Sequence, residues 1–326
     1  MNKKAVIVVN LGTPETPTPG AVAKFLKQFL SDSRVVEAPK LLWWFLLRLV
    51  IIPLRAKKVA HSYGEIWLAE GSPLRVITGR QVTALQNQLD EDVGLGNTVV
   101  CEAMTYGEPS LSHTFQRLRE QSIQEYVVLP MYPQYSGSTT GAIYDQLSAI
   151  IRQSRDVPDI SVIKSFHDHS GYTDCLVQSI RDSWEKNGRH EKLLMSFHGI
   201  PQEYVDKGDP SYQHCLGTAE AVAEKLSLEK DQWAMSFQSR FGPKQWLQPY
   251  TDEQLKTWAT NGVKSIDIIS PAFTVDCLET LEELNISYRE LFLSEGGEHY
   301  QYIPCLNDAP EFIKTLATLV KTKLFN

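Results

Sequence analysis

KLLMSFHGIP, residues 192–201, is the stretch on which the reading of this chain turns. The run from Leu193 to Phe197 is apolar with a single serine and no polar alternation, the pattern of a strand buried on both faces of a parallel sheet. It stops at the titratable side chain of His198, and Gly199 and Pro201 then turn the chain. Open parallel sheets bind ligands just outside the carboxyl ends of their strands, so a histidine placed there faces a ligand crevice. The plainer alternative is a histidine that hydrogen-bonds a loop carbonyl.

Outward from this strand, similar runs recur: AVIVV (5–9), TVVCEAM (98–104), YVVLP (126–130), SVIKSF (161–166), WAMSF (233–237) and SIDIIS (265–270). Between them lie stretches with helical periodicity and exposed charge, such as PSLSHTFQRLREQ and TAEAVAEKLSLEK. This alternation predicts an α/β chain with parallel sheets flanked by helices. The two halves also echo each other in the same order: VVNLGTP with MSFHGIP, MTYGEP with QSRFGP, VVLPMYP with IISPAF. Each is a strand followed by a Gly/Pro turn, which suggests two similar sub-domains. The expected division is 1–150 plus 306–326, with extra apolar material around 31–75, against 151–305. The crossover is expected near RQSRDVPD (152–159), and the final helix, APEFIKTLATLVKTKL, is expected to return to the first half.

The 326 residues suit two domains of ordinary size, and 42% hydrophobic with 22% charged residues is an ordinary globular composition. A net charge of -7 argues against a nucleic-acid partner. Cys101, Cys175, Cys215, Cys277 and Cys305 are scattered without a C-x-x-C, which excludes a sequence-local cysteine metal site and fits reduced thiols in a cytosol. The apolar run in MNKKAVIVVNLGTP is too short for a signal peptide and is read as the first strand. LLWWFLLRLVIIPL, 41–54, is shorter than the roughly 20 residues of a spanning helix and is interrupted by Arg48. It is a very apolar helix, either buried or exposed toward a lipid surface or a greasy ligand.

A second constellation follows SIDIIS. In PAFTVDCLETLEEL (271–284), Asp276, Glu279 and Glu283 fall at i, i+3 and i+7, one face of an α-helix. Acids in a first turn complement the helix dipole, which accounts for Asp276 and Glu279 but does not reach Glu283. The other reading is a file of carboxylates that attracts a cation or conducts protons. If both strands share a sheet, His198 and Glu279 project from carboxyl ends into one crevice. An imidazole and a carboxylate suit a first-row divalent metal, and two ligands without a third leave it exchangeable.

The ordered set NLGTP (10–14), QFLSDSRVV (28–36), GSPL (71–74), YPQYSGSTTG (132–141), SFHGIP (196–201), FQSRFG (237–242) and PAFTVDCLETLEEL resembles the ferrochelatases, proteobacterial members above all. The resemblance runs along essentially the whole chain. It implies two Rossmann-like, chelatase-type domains, each a parallel sheet flanked by helices, with a cleft between them that takes a porphyrin. It further implies insertion of Fe2+ into protoporphyrin IX with release of two protons, giving protoheme. His198 and Glu279 match the family's histidine and carboxylate, and the resemblance leaves open which binds metal and which removes protons; Asp276 and Glu283 would extend the proton or metal path. Leu11, Tyr106 and Phe273 would form the apolar wall, and Arg55, Lys58, Tyr63 and Ser72 would meet the propionates, where arginine's planar fork suits a carboxylate. Iron is then a substrate, with no permanently bound cofactor. The partners implied are the porphyrin and Fe2+, with peripheral membrane contact through 41–54, a monomer or homodimer, and a cytoplasmic location at the inner face of the membrane.

Three departures from the family stand out. Thr105 replaces an arginine that some relatives place immediately before the tyrosine matching Tyr106, Cys277 replaces a second histidine, and the chain ends in LVKTKLFN without the cysteine-rich extension that carries a [2Fe–2S] cluster in some members. His167 and His169 form an H-x-H pair that lies outside the resemblance and lacks a further ligand pair nearby, so a solvated loop is expected. The competing readings are a chelatase for another tetrapyrrole and metal, a two-lobed small-molecule binding protein, and a metal-dependent hydrolase. The last normally needs three protein ligands.

Overall fold

The computed structural model describes residues 3–325. The chain forms two compact units, one running up to Ser165 and resuming at Asp308, the other Phe166–Asn307.

The first unit is built on β1 (Lys4–Asn10), whose Ala5–Val9 segment has no solvent exposure at all. After it come α1 (Pro19–Ser31), α2 (Lys40–Leu46), a π-helix (Leu47–Ile51), α3 (Ile52–Ile66), α4 (Pro73–Val93), β2 (Thr98–Met104), α5 (Leu111–Glu120), β3 (Glu125–Pro130), α6 (Thr140–Gln153) and β4 (Asp159–Val162). All pairings are parallel, in the order β2-β1-β3-β4. Helices on the faces explain why β1 shows no alternation. Ala5, Ile7 and Val9 pack with Phe115 and Leu118 of α5 and Ile143 and Leu147 of α6. Each such valine, leucine or isoleucine contributes about 1.5–3 kcal/mol by leaving water. Helix starts are set by sequence: the hydroxyls of Thr18, Ser72 and Ser110 accept the N–H of Ala21, Arg75 and His113.

The second unit repeats the plan: α7 (Ser170–Asn187), β5 (Lys192–His198), α8 (Gln202–Asp206), α9 (Ser211–Lys225), β6 (Trp233–Gln238), α10 (Thr251–Thr260), β7 (Ser265–Ile269), a π-helix (Glu279–Ser287), α11 (Tyr288–Ser294) and β8 (His299–Tyr302). Its sheet is again parallel, in the order β6-β5-β7-β8. Leu194, Ile266 and Ile268 bury one face against Leu255, Leu284 and Phe292. The sequence echoes thus pair β1 with β5, β2 with β6 and β3 with β7, at equivalent places in the two sheets. Strand order reverses between β5 and β7, which puts His198 and the segment after Ile269 at the switch point of this sheet.

The chain then closes on the first unit through α12 (Pro310–Leu324), which packs on α4. Lys4 Nζ reaches the carbonyl of Leu324 at 2.7 Å, and Lys321 meets Asp92 at 2.5 Å.

Two expectations need correction, and one strand was not foreseen. The division falls after Ser165 rather than at 150, because β4 pairs with β3 and completes the first sheet. That strand begins at Asp159 and ends at Val162, with Ile163 still donating to the carbonyl of Val128, so it sits earlier than 161–166. The strand HYQY had no sequence signal, since four residues alternating around His and Gln give too short a pattern. Among the described residues, no helix is long and apolar enough to cross a membrane.

His167, in the segment expected as a solvated loop, is instead stacked on His214 of α9, centroids 3.7 Å apart and planes within 7°. Burial holds the His167 pKa below its usual value, against a smaller opposing pull from Asp168. The unfolded chain therefore takes up this proton more readily than the folded one, so the contribution to stability is present above about pH 6.5 and is lost as pH falls. His167→Phe keeps a stacking ring and removes the titration. Its Tm, followed by circular dichroism, should fall less than wild type between about pH 7.5 and 5.5; parallel curves would remove His167 as the cause.

Candidate active site

His198 is the last residue of β5 and is exposed, directly after Phe197, which is fully buried. Its Nδ1 lies 2.7 Å from the carbonyl oxygen of Gly199. A carbonyl only accepts, so Nδ1 carries the proton and Nε2 presents a lone pair, able to take a proton or a metal. The ring is flanked by Phe273 at 6.3 Å and Trp246 at 6.4 Å between centroids. Trp246 is fixed by its Nε1–H to the carbonyl of Phe241 (2.8 Å) and by the Leu247 N–H to the carbonyl of Ile200 (3.0 Å). A Cβ on Gly199 would stand 3.1 Å from the carbonyl oxygen of Gln238 and 3.3 Å from the Trp246 ring, so glycine is what permits this packing.

Across the ladder His198 pairs with Gln238, the last residue of β6. The buried Gln238 side chain turns toward the π-helix, its Nε2 donating to the Glu279 carbonyl at 2.8 Å and to a Glu283 carboxylate oxygen at 3.1 Å. Histidine and acidic helix are therefore joined through one glutamine.

The three carboxylates sort differently from the one-face reading. Asp276 precedes the helix and is 7% exposed. Its oxygens accept from Tyr302 Oη (2.5 Å), Asn307 Nδ2 (2.7 Å), Thr280 Oγ1 (3.2 Å) and the Cys305 N–H (3.3 Å), which makes it an internal tie to the segment after β8. Glu283 accepts from Gln238, the Ser239 N–H (2.9 Å), the Ser239 hydroxyl and Tyr288 Oη (2.8 Å). Both are consumed by holding the fold. Glu279 is half-buried, and its carboxylate acts on the buried thiol of Cys277. A carboxylate offers about four acceptor positions, so Glu279 keeps capacity for another cation or donor. Burial, then the charge of Glu279, pushes the Cys277 thiol far up, so it stays protonated. The α-helical spacing fails because 279–287 is a π-helix, closed by the Tyr288 N–H on the carbonyl of Glu283, five residues back.

The expected contacts of the first unit divide in the same way. Leu11 is half-buried and its carbonyl accepts the Tyr106 N–H at 2.9 Å. Next to it Gly12 has φ +103°, and a Cβ there would lie 1.7 Å from the Tyr106 carbonyl oxygen. Tyr106 is buried with its hydroxyl on Asp32 at 2.9 Å; burial first, then Asp32, raises its pKa. Tyr63 is buried against Trp67, and Ser72 is buried as the cap of α4. Arg55 is half-buried, which lowers its pKa, and Lys58 is exposed. The 41–54 stretch, whose burial the sequence left open, is largely exposed: Leu41 and Leu54 at 73% and 74%, with Leu42, Trp44, Phe45, Leu46, Leu49 and Val50 also out in solvent. Arg48 lies over the Trp44 ring at 4.4 Å.

Gln238, Ser239 and Trp246 were not singled out from sequence. The signal available for the first two was FQSRFG itself, a motif ending a strand that neighbours β5. Among the described residues, no group of three or more His, Cys, Asp or Glu side chains is gathered as metal ligands are.

A family model described as Ferrochelatase matches residues 3–324. The ferrochelatase of Aliivibrio fischeri is 48% identical over 326 residues, covering 100% of this chain and 99% of that one. The ferrochelatase of Acinetobacter baylyi is 48% identical over 322 residues, 99% of this chain and 94% of its own. Among solved structures, SirB from Bacillus subtilis with Fe3+ shares the fold with a TM-score of 0.58 at 11% identity, covering 99% of this chain and 96% of that chain.

Ser72→Ala removes the hydroxyl that caps α4 and should cost about 1 kcal/mol, read as a lowered Tm. An unchanged Tm would mean that the cap contributes nothing.

Proposed function

The chain belongs to the ferrochelatase family, and on that premise we propose how its own residues carry out the family's reaction. The enzyme is a lyase that inserts Fe2+ into protoporphyrin IX, releases two protons and makes protoheme, the terminal step of heme biosynthesis. A planar porphyrin keeps its nitrogen lone pairs in the ring plane and two N–H protons in the iron's path. Bending one pyrrole out of plane exposes a lone pair, at a cost of about 1–5 kcal/mol met by contacts remote from the reacting nitrogens. His198 Nε2 takes a pyrrole proton: with Nδ1 held by the Gly199 carbonyl, it is the one ring position with a free lone pair. Glu279 supplies negative charge that draws the ferrous ion and passes protons outward. Once protonated, the imidazole no longer ligates metal, so His198 cannot perform both duties at the same moment, and the metal is then left to Glu279.

The observation that carries this reading is the Gln238 side chain, which ties the turn bearing Glu279 to the residue paired with His198. Phe273 and Trp246 provide apolar ring faces next to the base. Arg55 and Lys58 meet the propionates. Tyr63, Ser72 and Tyr106 support those positions from within the fold, as Asp276 and Glu283 support Glu279.

The exposed 41–54 stretch favours peripheral docking on an anionic lipid surface. From Ala38 to Gly64 the chain has five cations (Lys40, Arg48, Arg55, Lys57 and Lys58) and no acidic residue, within a protein of net charge -7. Large apolar side chains beside positive charge suit the headgroup boundary of a membrane. Five buried free thiols suit a reducing compartment, which supports a cytoplasmic protein at the inner membrane face.

Protein, porphyrin and ferrous or zinc ion mixed without oxygen should show the absorption bands of the metalated ring. His198→Ala should abolish this conversion while Tm stays near wild type; retained turnover would falsify a direct role for the ring. Glu279→Gln should lower the insertion rate at least tenfold while porphyrin affinity, read by fluorescence titration, changes far less. Equal losses would make the carboxylate structural. Vesicles with anionic lipid should sediment the protein, and the triple exchange Leu41→Ser, Leu49→Ser, Leu54→Ser should release it without loss of turnover on a soluble porphyrin. Unchanged sedimentation would exclude this stretch as the docking surface.

A further inference from the structure

Beneath the site lies a row of buried hydroxyls that the reaction as described does not use. Ser196 of β5, Ser236 of β6 and Thr251 at the start of α10 have no solvent exposure, and Gln238 has 1%. Ser236 Oγ lies 2.9 Å from Thr251 Oγ1, Thr251 Oγ1 lies 2.8 Å from Ser196 Oγ, and Ser196 Oγ lies 2.9 Å from Gln238 Oε1. Each hydroxyl carries one proton, so the direction of the row can be worked out from its end.

The Glu279 carbonyl and the Glu283 carboxylate are acceptors only, so the end of the Gln238 amide that faces them is NH2. Oε1 therefore faces Ser196 and takes its single proton. Ser196 must then accept from Thr251, and Thr251, its proton spent, must accept from Ser236. All four groups point one way, from Ser236 to the carboxylate. The row is braced from the residue after β7, where Ser270 Oγ donates to the Ser196 carbonyl at 2.6 Å. An amide flipped end for end would set its oxygen against a carbonyl and a carboxylate in a dry interior, which is strongly unfavourable.

We propose that Thr251 and Ser196 are positioning residues for iron insertion: their hydroxyls hold the oxygen end of the Gln238 amide in place, and the amide holds the π-helical turn that presents Glu279. This rests on the reading of Glu279 given above. Neither hydroxyl touches substrate; both act through Gln238. Removing the Thr251 hydroxyl strips Ser196 of its donor and leaves the Ser236 proton without an acceptor, so the row that holds the Gln238 oxygen in place loses its middle member.

The test is steady-state porphyrin metallation with zinc ion by the full-length enzyme. Thr251→Val should lower kcat about tenfold with the porphyrin KM within twofold of wild type, and Thr251→Ser should restore kcat. Ser196→Ala breaks the same row while sparing the start of α10, so it serves if the valine variant folds poorly, and it should show the same split. A variant whose Tm falls while kcat per folded molecule stays at the wild-type value overturns the proposal, as does a loss that appears in KM alone. The two readings fail separately: wild-type insertion by Glu279→Gln removes the reading of the acid, whereas an impaired Glu279→Gln beside a fully active Thr251→Val removes this inference only.

Discussion

A single buried amide holds the site together. Gln238, 1% exposed, gives its side-chain nitrogen to the Glu279 carbonyl and the Glu283 carboxylate, its side-chain oxygen to Ser196, and its own carbonyl to the Gly199 N–H. A polar group this far from water is tolerable when its hydrogen-bonding positions are filled, and costly when any is not. The demand fixes the geometry of its neighbours as much as its own. A π-helix has poor local justification, and here it is anchored from outside by Gln238, Ser239 and Tyr288, all on Glu283. Glu279, one turn earlier, is placed by these bonds.

The two sheets share one topology, and their chemistry differs by what stands at the switch point. Each first strand ends at a turn glycine that packs on the loop of the neighbouring strand: Gly12 on the Tyr106 carbonyl, Gly199 on the Gln238 carbonyl. In the first unit the polar residue at the strand end, Asn10, is buried and spends its side chain on Thr78 and the Leu11 N–H. In the second it is His198, exposed, with one ring nitrogen unspent. The same backbone device closes a core in one unit and displays an imidazole in the other.

The apolar stretch from Leu41 to Leu54 breaks the ordinary rule of burial in a way single exposed leucines do not. Eight large hydrophobic side chains within these fourteen residues stand in solvent, while Leu47 and Ile52 alone of the run are buried. Trp43 ties the stretch to α1 through its Nε1–H on the Leu30 carbonyl at 2.6 Å. A contiguous patch of this kind marks a surface built to meet something apolar.

The first three strands of each sheet, in chain order, were legible because buried parallel strands are apolar without alternation, and the repeated order of Gly/Pro turns announced the duplicated plan. The place of His198 at the end of a buried strand was legible because the apolar run stops at it; its contact with the Gly199 carbonyl is the plainer of the two readings the sequence offered. Glu279 was legible as one of three acids, but spacing could not separate it from Asp276 and Glu283. That separation depends on donors distant in sequence, Tyr302 and Asn307 for one and Ser239 for the other, which meet their carboxylates when the chain is folded. The π-helix, the strand at 299–302, the unit boundary and the places of Gln238 and Trp246 were decided by tertiary structure for the same reason. Local pattern records which face of a segment meets water; which buried group answers which is settled by packing between segments far apart in the chain.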